Sequence, residues 1–259
     1  MSTFTNPLKQ RLKDPDPLFG LWLSLGSDTA AEALAHAGFD WLLIDMEHSP
    51  NDSIDVTGQL RAIAAAHLPT EPVVRLPASE PWLVKRVLDA GARTLMFPNI
   101  ESADEAAHAV RLTQYPTAAG NGMRGVAGAV RAAAYGMRRD YVQNANAQIA
   151  TIIQIESARA LENIEQIAAT PGIDCLFIGP ADLAASLGHL GDPKHPDVVA
   201  AIARIVDVAR RAHVAAGMFA MDVASARQYR TEGFSFIALA ADVMWMLRAT
   251  RQALQEVRS

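Results

Sequence analysis

Short, nearly unbroken apolar runs recur along the chain, and amphipathic stretches separate them. Runs at 19–25, 39–46, 72–76, 93–98, 149–156, 174–179, 215–220 and 234–240 read as strands. Their lack of strict alternation is what strands buried on both faces show. Helical patterns lie at 30–35, 54–66, 82–89, 103–113, 158–169, 196–212, 223–232 and 243–257. Boundary residues agree with this division. Ser27-Asp28-Thr29 supplies N-cap chemistry ahead of the first helix. Pro81 opens the third helix and Gly91 follows it. The endings His36-Ala37-Gly38, Asp89-Ala90-Gly91 and Thr231-Glu232-Gly233 look like C-caps that lead into the next strand.

Alternation of eight strands with eight helices predicts an α/β fold of parallel strands joined by crossover helices. Eight such units in 259 residues is the size of one (β/α)8 TIM barrel. A doubly wound open sheet is the alternative, but Leu25-Gly26-Ser27-Asp28 is not the glycine-rich dinucleotide turn that such a sheet would carry. Residues 1–18 form an N-terminal segment, and 115–148 is a long connection containing Gly120-Asn121-Gly122-Met123-Arg124-Gly125. A connection of that length inside a compact unit is usually functional or mobile. Both are assigned to a single domain spanning 1–259.

Composition narrows the function classes. Half of the residues are hydrophobic, a fifth are charged, and the net charge is −5. That is ordinary globular composition; it lacks the basic footprint of a nucleic-acid binder and any Lys/Arg-rich run for an anionic membrane. No apolar stretch is long enough to span a bilayer, and the first residues show no secretory h-region. Cys175 is the single cysteine, so no internal disulfide can form; a reducing, cytoplasmic setting is expected.

In a barrel, catalytic groups sit at the C-terminal ends of the strands. The second strand ends in Leu42-Leu43-Ile44-Asp45-Met46-Glu47-His48-Ser49, the third carries Arg75, and the fourth ends in Pro98-Asn99. The fifth offers Gln154 and Glu156, and the sixth leads through Phe177-Ile178-Gly179-Pro180 to Ala181-Asp182. Glu156 and Asp182 can supply carboxylate oxygens to a hard divalent ion such as Mg²⁺ or Mn²⁺. Gln154 shares a strand face with Glu156. His48 with Asp45 is a base beside an orienting carboxylate, Arg75 can stabilise charge on a substrate oxygen, and the amides around Ala181 and Asp182 can receive a carboxylate. Together they suit proton abstraction next to a carbonyl or cleavage to an enolate. Each residue also has a plainer reading: Asp182 as a helix cap, Glu156 on a first helical turn, Arg75 in a structural ion pair, His48 as a loop histidine, Glu47 as solvated. Trp22 and the other tryptophans read as packing, although Trp22 on the first strand could wall a pocket. The remaining histidines read as surface residues, and Cys175 as an inert core residue.

Absences help too. None of the four lysines, Lys9, Lys13, Lys85 and Lys194, lies at a strand end, which argues against a Schiff-base aldolase. No glycine-rich turn follows the seventh or eighth strand, so a phosphosugar is disfavoured.

Gly38-Phe39-Asp40-Trp41 with the Leu42–Ser49 stretch resembles the opening motif of the HpcH/HpaI aldolase family, class II pyruvate-dependent aldolases. Pro72-Val73-Val74-Arg75, Met123-Arg124-Gly125-Val126, Gln154-Ile155-Glu156-Ser157 and Phe177-Ile178-Gly179-Pro180-Ala181-Asp182-Leu183 extend the resemblance over nearly the whole chain from Phe19. It implies a barrel of the phosphoenolpyruvate/pyruvate type and reversible cleavage of 4-hydroxy-2-oxo acids, such as 4-hydroxy-2-oxoheptanedioate or 2-keto-3-deoxy sugar acids, to pyruvate and an aldehyde. Glu156 and Asp182 would bind Mg²⁺, Mn²⁺ or Co²⁺. His48, oriented by Asp45, would act through a metal-bound water as general base, and Arg75 would stabilise the enolate oxygen. The amides of Ala181 and Asp182 would hold the pyruvate carboxylate. The resemblance also implies a homohexamer in which the last helix is exchanged between barrels, with Arg124 reaching a neighbour's aldehyde. The chain departs from the family pattern at 117–122, which is longer by about two residues, an ordinary loop insertion. It departs again at Ala133-Ala134-Tyr135 and at the bulky Met218-Phe219, all three placed where the aldehyde should bind. A citrate-lyase-like CoA-ester lyase and a non-catalytic keto-acid-binding protein remain as alternatives.

Overall fold

All eight expected strands form: β1 (Leu18–Leu23), β2 (Trp41–Asp45), β3 (Glu71–Arg75), β4 (Thr94–Phe97), β5 (Ala150–Ile155), β6 (Cys175–Ile178), β7 (Ala215–Ala220) and β8 (Phe236–Ala241). They close in chain order, each parallel to its neighbours, and β8 returns to β1. The computed structural model describes residues 4–14, 16–118 and 120–259. Residues 1–3 and 15 of the N-terminal segment, and 119 of the long connection, lie outside the described residues.

The helices are α1 (Pro7–Arg11), α2 (Asp28–Ala35), α3 (Ser53–Ala65), α4 (Pro81–Asp89), α5 (Ala103–Thr113) and α6 (Tyr141–Gln148). They continue with α7 (Ala158–Glu162), α8 (Ile164–Ala168), α9 (Pro180–Ser186), α10 (Pro196–Arg211), α11 (Val223–Thr231) and α12 (Asp242–Arg258). The expected caps are in place. Ser27 Oγ accepts from the Ala30 amide at 3.2 Å, and Gly91 and Gly233 end their helices at φ of +108° and +95°, a left-handed turn that glycine makes without a Cβ clash.

Side-chain alternation sorts the residues into two layers. Trp22, Trp41, Leu43, Val73, Met96, Ile152, Cys175, Phe177, Phe236 and Ala238 fill the barrel. The opposite faces, among them Leu42, Ile44, Val74, Leu95, Ile153, Leu176 and Met218, pack under the helices. The interior pairs large with absent side chains. A Cβ on Gly20 would lie 2.0 Å from the Trp41 ring, and Trp41 stacks on Phe236 with centroids 4.0 Å apart. The short α1 covers the N-terminal end of the barrel: Leu8 and Leu12 join the interior cluster, and Asn6 Nδ2 donates to the Arg93 carbonyl at 2.9 Å.

Four elements differ from the sequence reading. The first strand ends at Leu23 because the amides of Ser24 and Leu25 turn to the buried carboxylate of Asp242, at 2.9 and 3.2 Å. The helix expected at 158–169 breaks at Asn163, whose side chain donates to the Glu101 carbonyl at 2.8 Å. The long connection holds a 3-10 turn, Arg131–Gly136, and α6. A short α9 follows β6 before the long α10. Among the described residues, no helix is long and apolar enough to cross a membrane.

Candidate active site

The C-terminal ends of β2 to β6 bring one charged cluster together. Asp45 and Arg75 are register partners on β2 and β3 and face the barrel mouth. Both are buried, and Arg75 Nε and Nη2 donate to the two Asp45 oxygens at 2.9 and 2.8 Å. This fork-on-carboxylate geometry fixes the guanidinium plane. Arg75 Nη1 lies 2.8 Å from Glu47 Oε2, and its Cζ sits 5.2 Å from the centre of the Trp22 ring. Trp22 is in turn wedged between Phe177 and Phe219, each at 5.4 Å. It therefore supports Arg75 as well as walling the mouth.

The expected Asp45–His48 pair is not what forms. Asp45 has committed its carboxylate to Arg75, and beyond that it accepts from the backbone amides of Glu47 and His48, at 3.0 and 3.5 Å. It therefore shapes the turn that carries His48 and leaves the ring alone. The acid beside the imidazole is Glu47, with Oε2 3.9 Å from His48 Nε2. The His48 side chain is 67% exposed, free to meet a ligand from the solvent side. Asn51, which sequence reasoning passed over, anchors this loop: its Nδ2 donates to the Asp45 carbonyl at 2.6 Å, and its Oδ1 accepts from Gln59 at 2.8 Å.

Across the mouth, Gln154 Nε2 donates to Glu156 Oε2 in a short contact, and Glu156 Oε1 accepts the Asn99 amide at 2.7 Å. Burial pushes the Glu156 carboxyl above the usual glutamate range. The Asn99 amide opposes this, while the charges of Glu47 and Asp182 add to it. Glu47 is also raised, first by burial and against the pull of Arg75. Asp182 is exposed, in the first turn of α9. Gly179, at the start of that helix, offers no side-chain cap, so the amides of Ala181 and Asp182 keep free donors, as the first residues of a helix do. Gly179 has a second role: a Cβ there would stand 2.9 Å from Glu156 Oε2 and 3.0 Å from Gln154 Nε2.

This donor set fits a hard divalent cation. Glu156 and Asp182 offer carboxylate oxygens close enough for their charges to oppose each other. Gln154 Oε1 is buried without a hydrogen-bond partner. Such an arrangement is costly unless a cation or a ligand hydroxyl completes it. The mouth is acidic around Arg75, which is itself held by two acids. That does not suit the phosphates of a CoA ester.

Arg124 is elsewhere. Its side chain is fully buried in its own chain, with Nη2 on Asp89 at 3.0 Å and on the Tyr141 hydroxyl at 2.9 Å. The Tyr115 ring lies 4.4 Å from its Cζ. Asp89 ends α4, at the opposite end of the barrel from the mouth of the same chain, so within this chain Arg124 organises the long connection. Of the bulky pair on β7, Met218 packs outward under the helices and Phe219 alone faces the interior. Tyr135 and Ala134 take left-handed φ values of +55° and +48°, and Tyr135 is exposed. His189, His195 and Asp197 cluster at the start of α10, with the rings stacked at 3.4 Å. His195 Nδ1 accepts the Asp197 amide there at 3.3 Å, so this group caps a helix outside the mouth. The Cys175 thiol is fully buried and its pKa raised by that burial, as expected of an inert residue.

Residues 18–249 match the family model described as HpcH/HpaI aldolase/citrate lyase. A hydroxypyruvate/pyruvate aldolase of Paraburkholderia phytofirmans is 83% identical over 260 aligned positions, covering 100% of both chains. A 4-hydroxy-2-oxo-heptane-1,7-dioate aldolase of Escherichia coli is 44% identical, covering 94% of this chain and 92% of that one. Among solved structures, an HpcH/HpaI aldolase/citrate lyase family protein from Burkholderia cenocepacia superposes with a TM-score of 0.97 at 71% identity, covering 98% of this chain and 100% of that one. A parallel eight-strand barrel with this mouth, matched from its first strand into its last helix, belongs to the HpcH/HpaI aldolase/citrate lyase family.

Proposed function

We propose that the chain is a divalent-metal-dependent aldolase that reversibly cleaves 4-hydroxy-2-oxo acids into an aldehyde and pyruvate, or hydroxypyruvate as the name of its 83% identical relative suggests. As a member of this family it is a carbon–carbon lyase. The observation that carries the reading is the cluster of Glu156, Gln154 and Asp182 facing the Asp45–Arg75–Glu47 clamp across one barrel mouth.

Glu156 and Asp182 would hold Mg²⁺, Mn²⁺ or Co²⁺. Such an ion supplies Lewis-acid polarisation of the substrate's keto oxygen. The uncapped amides of Ala181 and Asp182 receive the substrate carboxylate. Arg75 has five N–H donors, of which two donate to Asp45 while Nη1 pairs by charge with Glu47, so donors remain for the keto oxygen. As the C3–C4 bond breaks, its electron pair moves toward C2, and Arg75 stabilises the charge that grows on the oxygen. His48 takes the proton of the 4-hydroxyl, whose oxygen becomes the aldehyde carbonyl, and nearby Glu47 steadies the imidazolium; a proton then goes to C3 of the enolate to give pyruvate, so the cleavage is proton-neutral. Phe219 and Trp22 wall the mouth.

The same reading includes a homohexamer with α12 exchanged between barrels, and a cytoplasmic setting. In support, Met246, Leu247, Leu254 and Val257 of α12 are exposed, and Cys175 is free.

The test is pyruvate release from a racemic 4-hydroxy-2-oxo acid. Chelation by EDTA, or Glu156→Ala, should lower the rate by about 100-fold or more, the scale for loss of a transition-state stabiliser. A full rate in EDTA would sink the metal role.

A further inference from the structure

Asn99 stands between the two halves of the mouth and has no part in the roles above. It is the second residue past β4 and adopts φ +56°, in the left-handed region that, glycine aside, asparagine enters more readily than most residues. Its side chain is exposed, so burial does not compensate for that backbone. What the conformation achieves is a double donation. The backbone N–H reaches Glu156 Oε1 at 2.7 Å, and the side-chain Nδ2 reaches Glu47 Oε1 at 3.2 Å. Glu47 in turn holds Arg75 Nη1 at 2.8 Å and lies 3.9 Å from His48. One residue thus links a carboxylate from β5 with a carboxylate from the β2 loop, and the charge of Glu47 adds to the proton affinity of Glu156.

We propose that Asn99 is a positioning residue: its left-handed backbone aims one amide at Glu156 to preset the cation site, and its side chain holds Glu47 against Arg75 and beside His48. The two arms separate by function. The backbone arm serves cation affinity, and the side-chain arm serves the chemical step. The proposal rests on the metal-aldolase reading above.

Two variants separate the arms. Glycine keeps the left-handed backbone and removes the side chain, whereas valine disfavours the backbone conformation and removes the side chain. Mg²⁺ or Mn²⁺ affinity is read by calorimetry, independently of turnover, and circular dichroism with a thermal midpoint confirms folding. Asn99→Gly should keep the cation Kd within about twofold and the KM for the oxo acid nearly unchanged, while kcat falls by about tenfold or more. Asn99→Val should also weaken the cation Kd by about tenfold or more, the usual effect of losing a partner that orients a metal ligand. A native kcat in Asn99→Gly overturns the side-chain arm, and a native Kd in Asn99→Val overturns the backbone arm. An EDTA control, run alongside, isolates the parent reading: native turnover without the cation sinks the metal-aldolase assignment whatever Asn99 does, and a Glu156→Gln variant that binds the cation and turns over normally removes Glu156 as its ligand.

Discussion

At the scale of single residues, the mouth is built from groups that oppose one another and are held there. Arg75 is clamped by Asp45 and Glu47, so its charge is oriented before a substrate arrives. Glu156 carries the opposite tension, since burial and the charges of Glu47 and Asp182 favour its protonated form. This gives a signed pH dependence. Protons and a cation compete for the same carboxylate, so cation affinity should fall as pH falls. The fall should begin above the ordinary glutamate range of about 4.3. The cation-free protein should move the other way: a carboxyl raised in the folded state contributes stability that is present at low pH and lost as pH rises through the folded value. Calorimetric titrations from about pH 5 to 8, with thermal midpoints on the cation-free protein, check both signs. An affinity that stays flat to the ordinary glutamate range would remove Glu156 as the titrating ligand. These residues were legible in the sequence because strand parity alone puts Asp45, Arg75 and Gln154 on the inner face. The burial of Arg124 is not legible there, because a loop arginine carries no local sign of the two tyrosines and the aspartate that enclose it. Asn99 stands at a strand end in the sequence, but its two hydrogen bonds depend on a backbone angle that the sequence does not show.

At the scale of elements, the junction of β6 and α9 does the most with the least material. β6 must end, turn and open a helix within Gly179-Pro180-Ala181-Asp182, while Gln154 and Glu156 press against the turn from β5. Gly179 leaves the space they occupy, since a Cβ would meet Glu156 Oε2 at 2.9 Å and Gln154 Nε2 at 3.0 Å. Gly179→Ala should therefore fold, because its φ of −92° is open to any residue, but weaken cation binding by about tenfold. Calorimetry on the purified variant checks this, and a native Kd would show that the two side chains can shift without loss. The elements themselves were readable from the apolar runs and caps. Their ends were not: β1 stops early because Asp242, far along the chain, draws off the amides of Ser24 and Leu25. The helix expected at 158–169 breaks because Asn163 finds the Glu101 carbonyl.

At the scale of the whole molecule, the closed barrel places α1 under one end and the acid-rich mouth at the other. The last helix departs from it. Asp242 begins α12 buried and Trp245 Nε1 still donates to the Leu239 carbonyl at 3.0 Å, but from Met246 onward every residue is exposed. A helix with an apolar stripe in water calls for a partner surface. Deleting residues 246–259 should leave a folded barrel and yield a smaller species in sedimentation velocity. An unchanged assembly size would remove α12 as the link between barrels.

The alternation of strands and helices, the barrel class, the family and most of the charges at the mouth are legible along the chain. Each depends on local periodicity, on turn residues or on strand parity, and these are written in order along the chain. The tertiary structure decided which charge meets which: Arg75 takes Asp45 away from His48, Glu47 stands beside the imidazole, Asn99 ties two acids together, and Arg124 is buried at the far end. Those pairings join residues from different strands and loops, and their competition for the same few donors is settled only when the barrel closes.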